Sequence, residues 1–166
     1  MELANDFLSW AWARHHNPLS WYIRPIMLIP FCFFAYRQSA KGIVLTLVAL
    51  ATSMFWFPAP NPPSEEAIHF LEMEKEYLTS DWTFGKILMG LIVPFGFTLL
   101  GIAFWKRSLF YGALVANLMV ISKVIWSTVN DAENSVGTIY LPTIVGVLLF
   151  NSLFYYLAKG KKQEIS

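Results

Sequence analysis

The chain has 166 residues, of which 56% are hydrophobic, 17% aromatic and only 14% charged. Soluble domains carry roughly 25% charged residues and keep much of their surface exposed, so this composition excludes a globular cytosolic or secreted enzyme and a disordered tail. With 12 Lys+Arg against 11 Asp+Glu the net charge is +1, which offers no polybasic field to nucleic acid and leaves an all-α, polytopic membrane protein as the fold class.

At the N-terminus, Glu2 and Asp6 stand where the positive region of a cleavable signal peptide would be. Glu2 to His15 places Leu3, Phe7, Trp10 and Ala11 on one helical stripe, which predicts a helix lying in the membrane interface. A spanning helix needs about 20 mostly apolar residues, with a range of roughly 17–25. Five segments approach that length, at about 18–36, 40–57, 83–105, 109–129 and 138–158. Pro25 and Pro30 predict kinks in the first, and Pro94 a bend in the third. A separate reading makes the first two segments a re-entrant hairpin, although Arg37 and Lys41 between them favour a wetted loop. Pro58-Ala59-Pro60-Asn61-Pro62-Pro63 stops the second segment and holds the chain extended. After it, about 64–79 predicts a second amphipathic helix, with Ser64 as N-cap and Glu65 and Glu66 in its first turn. No repeat or domain boundary appears, so 1–166 reads as a single integral-membrane domain with five spans.

The Lys/Arg bias of short loops orients such a chain. With the C-terminus in the cytoplasm, the inner side holds Arg37, Lys41, Lys106, Arg107, Lys159, Lys161 and Lys162. The outer side then holds Glu2, Asp6, Glu65, Glu66, Glu72, Glu74, Glu76, Asp81, Asp131 and Glu133. The N-terminus is expected outside, and the default location is a bacterial cytoplasmic (inner) membrane. No carboxylate falls within a span, which argues against a proton relay of the kind coupled transporters use.

Three cations do fall within spans: Arg24, Lys86 and Lys123, each about one to two turns below the outer boundary. A charge there costs a few kcal/mol unless it is paired or reaches water. One reading gathers them in an outer-facing polar pocket for an anionic head group, lined by Ser127 and Asn130 and walled by Trp21, Trp56, Trp82 and Trp126. The other lets each long side chain snorkel alone to the interface. Asp81, Asp131 and Glu133 lie just beyond the spans as candidate counter-ions. Asn117, deeper in the fourth segment, reads as hydrogen-bonding glue between helices.

Of the three histidines, His15 and His16 follow the first interfacial helix and His69 sits on the second. They are the available acid/base groups if the protein is an enzyme acting on lipid head groups. His69 with Glu72 has metal-binding spacing, but a solvated helix face gives the same pattern, so neither metal nor cofactor is expected. Cys32, the one cysteine, excludes an internal disulfide. The expected function is binding or carriage of a lipid-like amphiphile, with membrane lipid as partner. The alternatives are the head-group enzyme and a small subunit of a larger membrane complex or homo-oligomer.

Overall fold

The computed structural model describes residues 2–131 and 139–163, with side chains described except at 2–5, 130, 131, 157, 158 and 160–163. Among these residues the fold is entirely helical. Helix α1 spans Glu2–His15, α2 Leu19–Tyr36, α3 Ala40–Thr52, α4 Glu65–Thr79, α5 Phe84–Trp105, α6 Leu109–Asp131 and α7 Leu141–Gln163. A short 3-10 turn, Ser53–Phe55, extends α3.

Among the described residues three helices are long and apolar enough to cross a membrane: Leu19–Tyr36, Phe84–Trp105 and Leu109–Val129. The apolar helices Ala40–Phe55 and Leu141–Tyr156 are shorter. The second predicted segment stops early for a local reason. Thr52 Oγ1 donates back to the carbonyls of Val48 and Ala49, and Ser53 Oγ to that of Leu50. Such back-bonding tightens the final turn, and Pro58 prevents the chain from resuming the helix.

Helix α2 is the hub, packing against α3, α5 and α7, while α5 pairs with α6 and α6 with α7. It remains helical through both Pro25 and Pro30. The core is aromatic, built from Phe31, Phe104, Phe150 and Phe154 around Ala35, Leu100 and Ala116. Phe150 and Phe154 stack at 4.4 Å, and Phe104 meets Phe154 edge-on at 5.2 Å. Small residues let these helices close up. A Cβ on Gly146 of α7 would lie 2.5 Å from Pro25 Cβ of α2, and one on Gly112 of α6 would lie 2.4 Å from the Phe104 ring.

The two ends of the bundle are built differently. At one end α2 and α5 each terminate in a Schellman motif, with Gln38 at φ 55° and Arg107 at φ 56° in the left-handed position. Ser39 N donates to Phe34 O and Ser108 N to Ala103 O, closing both turns. Gln38 Nε2 donates to Trp105 O, tying the two turns together, and this end carries Arg37, Lys41, Lys106 and Arg107.

At the other end the amphipathic helices α1 and α4 lie over the bundle. Phe7 and Trp10 of α1 pack against Phe55, with ring centroids 6.0 and 5.7 Å away. Arg14 donates to Phe57 O and Asn17 to Pro58 O, which fastens α1 to the proline-rich connector. Ser64 caps α4 by accepting from Ala67 N. Ala67, Phe70 and Leu71 of α4 are buried and form a second core with Trp21, flanked by Trp12, Trp126 and Ile139. The starts of α2 and α7 and the end of α6 therefore meet beneath α4.

Candidate functional site

The end capped by α1 and α4 contains a charge cluster assembled from four helices. Its centre is Glu74 of α4. Counting from Ala67, Phe70 and Leu71, Glu74 continues the buried face at helical spacing. The fold therefore carries a carboxylate inward on an otherwise apolar stripe. Its side chain is 28% exposed, against 5% for His15 of α1, whose Nε2 lies 3.7 Å from Glu74 Oε2.

Arg24 of α2 lies against that imidazole, with Nη2 3.5 Å from Nδ1 and 3.4 Å from Nε2 of His15. Lys123 of α6 lies near enough for its charge to act on Glu74, with its Nζ over the rings of Trp126 at 4.6 Å and Phe70 at 5.9 Å. Burial by itself would raise the Glu74 pKa. The hydrogen bond and charge of His15, then the charges of Lys123 and Arg24, outweigh it and hold the carboxyl below its ordinary 4.5.

A cavity of about 250 Å³ opens beside this cluster, between α4, α5 and α6. Glu74, Lys123 and Ser122 supply its polar side chains, and Tyr77, Met89, Met119 and Trp126 much of its apolar wall. Gly90 also lines it. In a regular helix the Gly90 carbonyl would accept from residue 94, but Pro94 has no N–H to give. The cavity thus combines one cation, Lys123, and one carboxylate, Glu74, within apolar walls. That composition suits a charged head group joined to hydrocarbon.

The expected site residues divide into those gathered here and those placed elsewhere. Arg24 and Lys123 share Glu74. Trp126 walls the cavity, and Trp21, only 7% exposed, packs edge-on to His15 at 6.3 Å and to Phe70 at 6.4 Å. Lys86 does not join them. Its Nζ donates to Tyr77 O and to Ser80 O and Oγ, and it lies over the rings of Tyr77 at 4.6 Å and Trp82 at 5.2 Å. Capped by the end of α4, it is satisfied at the surface. Trp82 is 55% exposed and donates to Leu78 O, while Trp56 is 43% exposed and donates to Thr52 Oγ1; neither lines the cavity.

Ser127 is fully buried. Asp81 is exposed, and the carboxylate that meets the cations among the described side chains is Glu74. The side chains of Asn130 and Asp131, and Glu133 entirely, lie outside the described residues.

The histidines also separate. His15 is at the centre, His16 Nδ1 lies 2.9 Å from Trp12 O and caps its own helix, and His69 is exposed. Among the described residues no group of three His, Cys, Asp or Glu side chains could hold a metal ion. Ser20 Oγ, His15 and Glu74 fall in a line, with Oγ 3.4 Å from Nδ1. Ser20 is fully buried, however, and its Oγ also reaches His15 O at 3.3 Å, so it fixes the α1–α2 turn and faces no cavity described here. A nucleophile needs access to its substrate, and this hydroxyl has none.

Glu74 was the residue least visible in the sequence. Its signal was nevertheless present: a carboxylate at i+4 from Phe70 and i+3 from Leu71 interrupts the apolar stripe of α4, unlike Glu65, Glu72 and Glu76. His15 carries the same signature on α1, four residues after the buried Ala11. No protein-family model, curated protein or solved structure matches the chain.

Proposed function

We propose that this protein is an integral membrane protein that binds an amphiphile with an anionic head group at the α4–α5–α6 cavity. One observation carries the reading: Lys123 and Glu74 from different helices line one cavity, and Arg24, against the His15 ring that pairs with Glu74, adds a second positive charge beside it. Arg24 and Lys123 give the described side chains of the cluster more positive than negative charge, with Glu74 as the carboxylate beside His15. Like charges in a partly dry site repel by about 1 kcal/mol or more, and a bound anion would relieve that excess. The apolar walls and the position beneath an amphipathic cover favour a membrane amphiphile over a water-soluble ion.

The arrangement in the membrane follows the same reading. The two shorter apolar helices complete five crossings, with α1 and α4 lying in the outer interface. Arg37, Lys41, Lys106 and Arg107 share one end of the bundle, and the positive-inside bias makes that end cytoplasmic. The N-terminus is then outside, in a bacterial inner membrane. Membrane lipid is the partner.

Native mass spectrometry of the detergent-solubilised protein tests the proposal. Wild type is expected to retain tetradecanoate or a tetradecanoyl lysophosphatidylglycerol and to release neutral tetradecanol. Lys123→Gln and Arg24→Gln should each weaken retention of the anions at least tenfold. Equal retention of anionic and neutral probes, or anion retention unchanged in both variants, would overturn it.

A further inference from the structure

A second cavity, about 590 Å³ and almost wholly apolar, runs along α5 on the face turned toward α2 and α3. Phe31 of α2, Ile43 and Leu47 of α3, and Gly101 and Trp105 of α5 line it. It arises because α2 packs against both α3 and α5, leaving a groove beside it. Val93 lines this groove and the polar cavity alike. From Val93 to Trp105 is twelve residues of α5, or about 18 Å at 1.5 Å per residue. That is slightly more than half of a hydrocarbon core roughly 30 Å thick, the reach of one leaflet's chains.

We infer that the polar cavity and the apolar groove are two halves of one binding site, joined at Val93, which takes a single-chain anionic amphiphile. The head group lies at Lys123, with Arg24 adding positive charge from behind His15, and its hydrocarbon tail runs along α5 toward Trp105. This rests on the head-group proposal above and adds to it the course and length of the tail. The polar half is too small for more than a head group and its first few carbons, since drug-sized ligands fill about 300–1,000 Å³ against about 250 Å³ here. The remainder of the ligand needs an apolar path, and the groove shares Val93 with the cavity. Charge complementarity fixes which end of the molecule goes where, because all the cluster's charges lie at the α4 end of the groove. The shared chemistry of a carboxylate and a phosphodiester monoanion admits either head group.

Gly101 allows a direct test. A Cβ there would meet only Phe31 Cζ at 3.6 Å, an ordinary contact, so Gly101→Leu obstructs the groove with little demand on the fold. Leu47→Trp narrows it from the opposite wall. Two probe series, saturated fatty acids and lysophosphatidylglycerols of 6 to 16 carbons, are titrated against solubilised protein and followed by native mass spectrometry. In wild type, retention should rise steadily with chain length up to about the reach of the groove, at least tenfold across the series. In both variants that rise should flatten, and the series that binds identifies the head group. A chain-length dependence the same as wild type in both variants overturns the tail assignment. The two readings fail separately, because Lys123→Gln lowers retention at every chain length if the head-group assignment holds. Wild-type retention of neither series overturns both.

Discussion

Two polar groups inside the bundle make an instructive pair. Midway along the helices, Asn117 of α6 and Asn151 of α7 exchange side-chain hydrogen bonds of 3.0 and 3.1 Å. Each amide also donates to the carbonyl four residues earlier, Ala113 O at 2.8 Å and Val147 O at 3.0 Å. The pair is neutral and satisfies its own donors, so it joins two helices and asks nothing of a ligand. The cluster at the α4 end has the opposite character. Its members come from four helices, the cations outnumber the carboxylate among the described side chains, and a cavity opens beside them. Self-sufficiency suits glue, whereas excess charge beside open space is what the proposed site requires.

The largest expected effect comes from removing the carboxylate that offsets the cations. Glu74→Gln should destabilise the ligand-free protein by about 2 kcal/mol, below the 3–5 kcal/mol of a fully buried pair because Glu74 is partly exposed. Thermal unfolding in detergent measures this. The same variant should hold an anionic amphiphile more tightly than wild type, since Glu74 competes with the ligand for Lys123 and Arg24. Weaker anion binding in Glu74→Gln, with the fold intact, would remove the distinction drawn between glue and site.

The pH dependence has a defined sign. The folded state holds the Glu74 carboxyl below its ordinary 4.5, so its contribution is fully present above that value. It is lost as pH falls below about 4.5 through the folded value. Melting temperature should therefore drop across this interval in wild type and drop less in Glu74→Gln. Equal acid profiles would show that the cluster does not stabilise the ionised carboxylate.

A smaller effect belongs to the amide pair. Asn117→Ala should cost about 1 kcal/mol, within the range measured for hydrogen bonds between membrane helices. Replacing both Asn117 and Asn151 by Val should recover part of that loss, because no polar group is then left unpaired. Amphiphile retention should match wild type in both cases. Lys86→Gln should change the least, under about 0.5 kcal/mol, as expected of a half-buried cation at the bundle surface with no acidic partner among the described residues, and should leave anion retention as it was. A loss of binding in Lys86→Gln would place the third cation in the site after all.

The amino-acid sequence by itself determined the class of protein, because the scarcity of charge leaves too little polar surface for a soluble sphere. It determined the helices and many of their ends through local chemistry: the prolines after Phe57, the Ser64 cap, and apolar runs bounded by charge. It also marked Arg24 and Lys123 as cations that need a partner, a matter of depth along one helix. It left open which partner. Lys86 and Lys123 read alike in sequence, yet Lys86 meets carbonyls of Tyr77 and Ser80 at the surface while Lys123 faces Glu74 across a cavity. That difference depends on which helix lies opposite and on the angle at which α4 crosses the bundle end. Helix packing decides both through contacts distant in sequence, so only the tertiary structure could bring Glu74 and His15 to the cations.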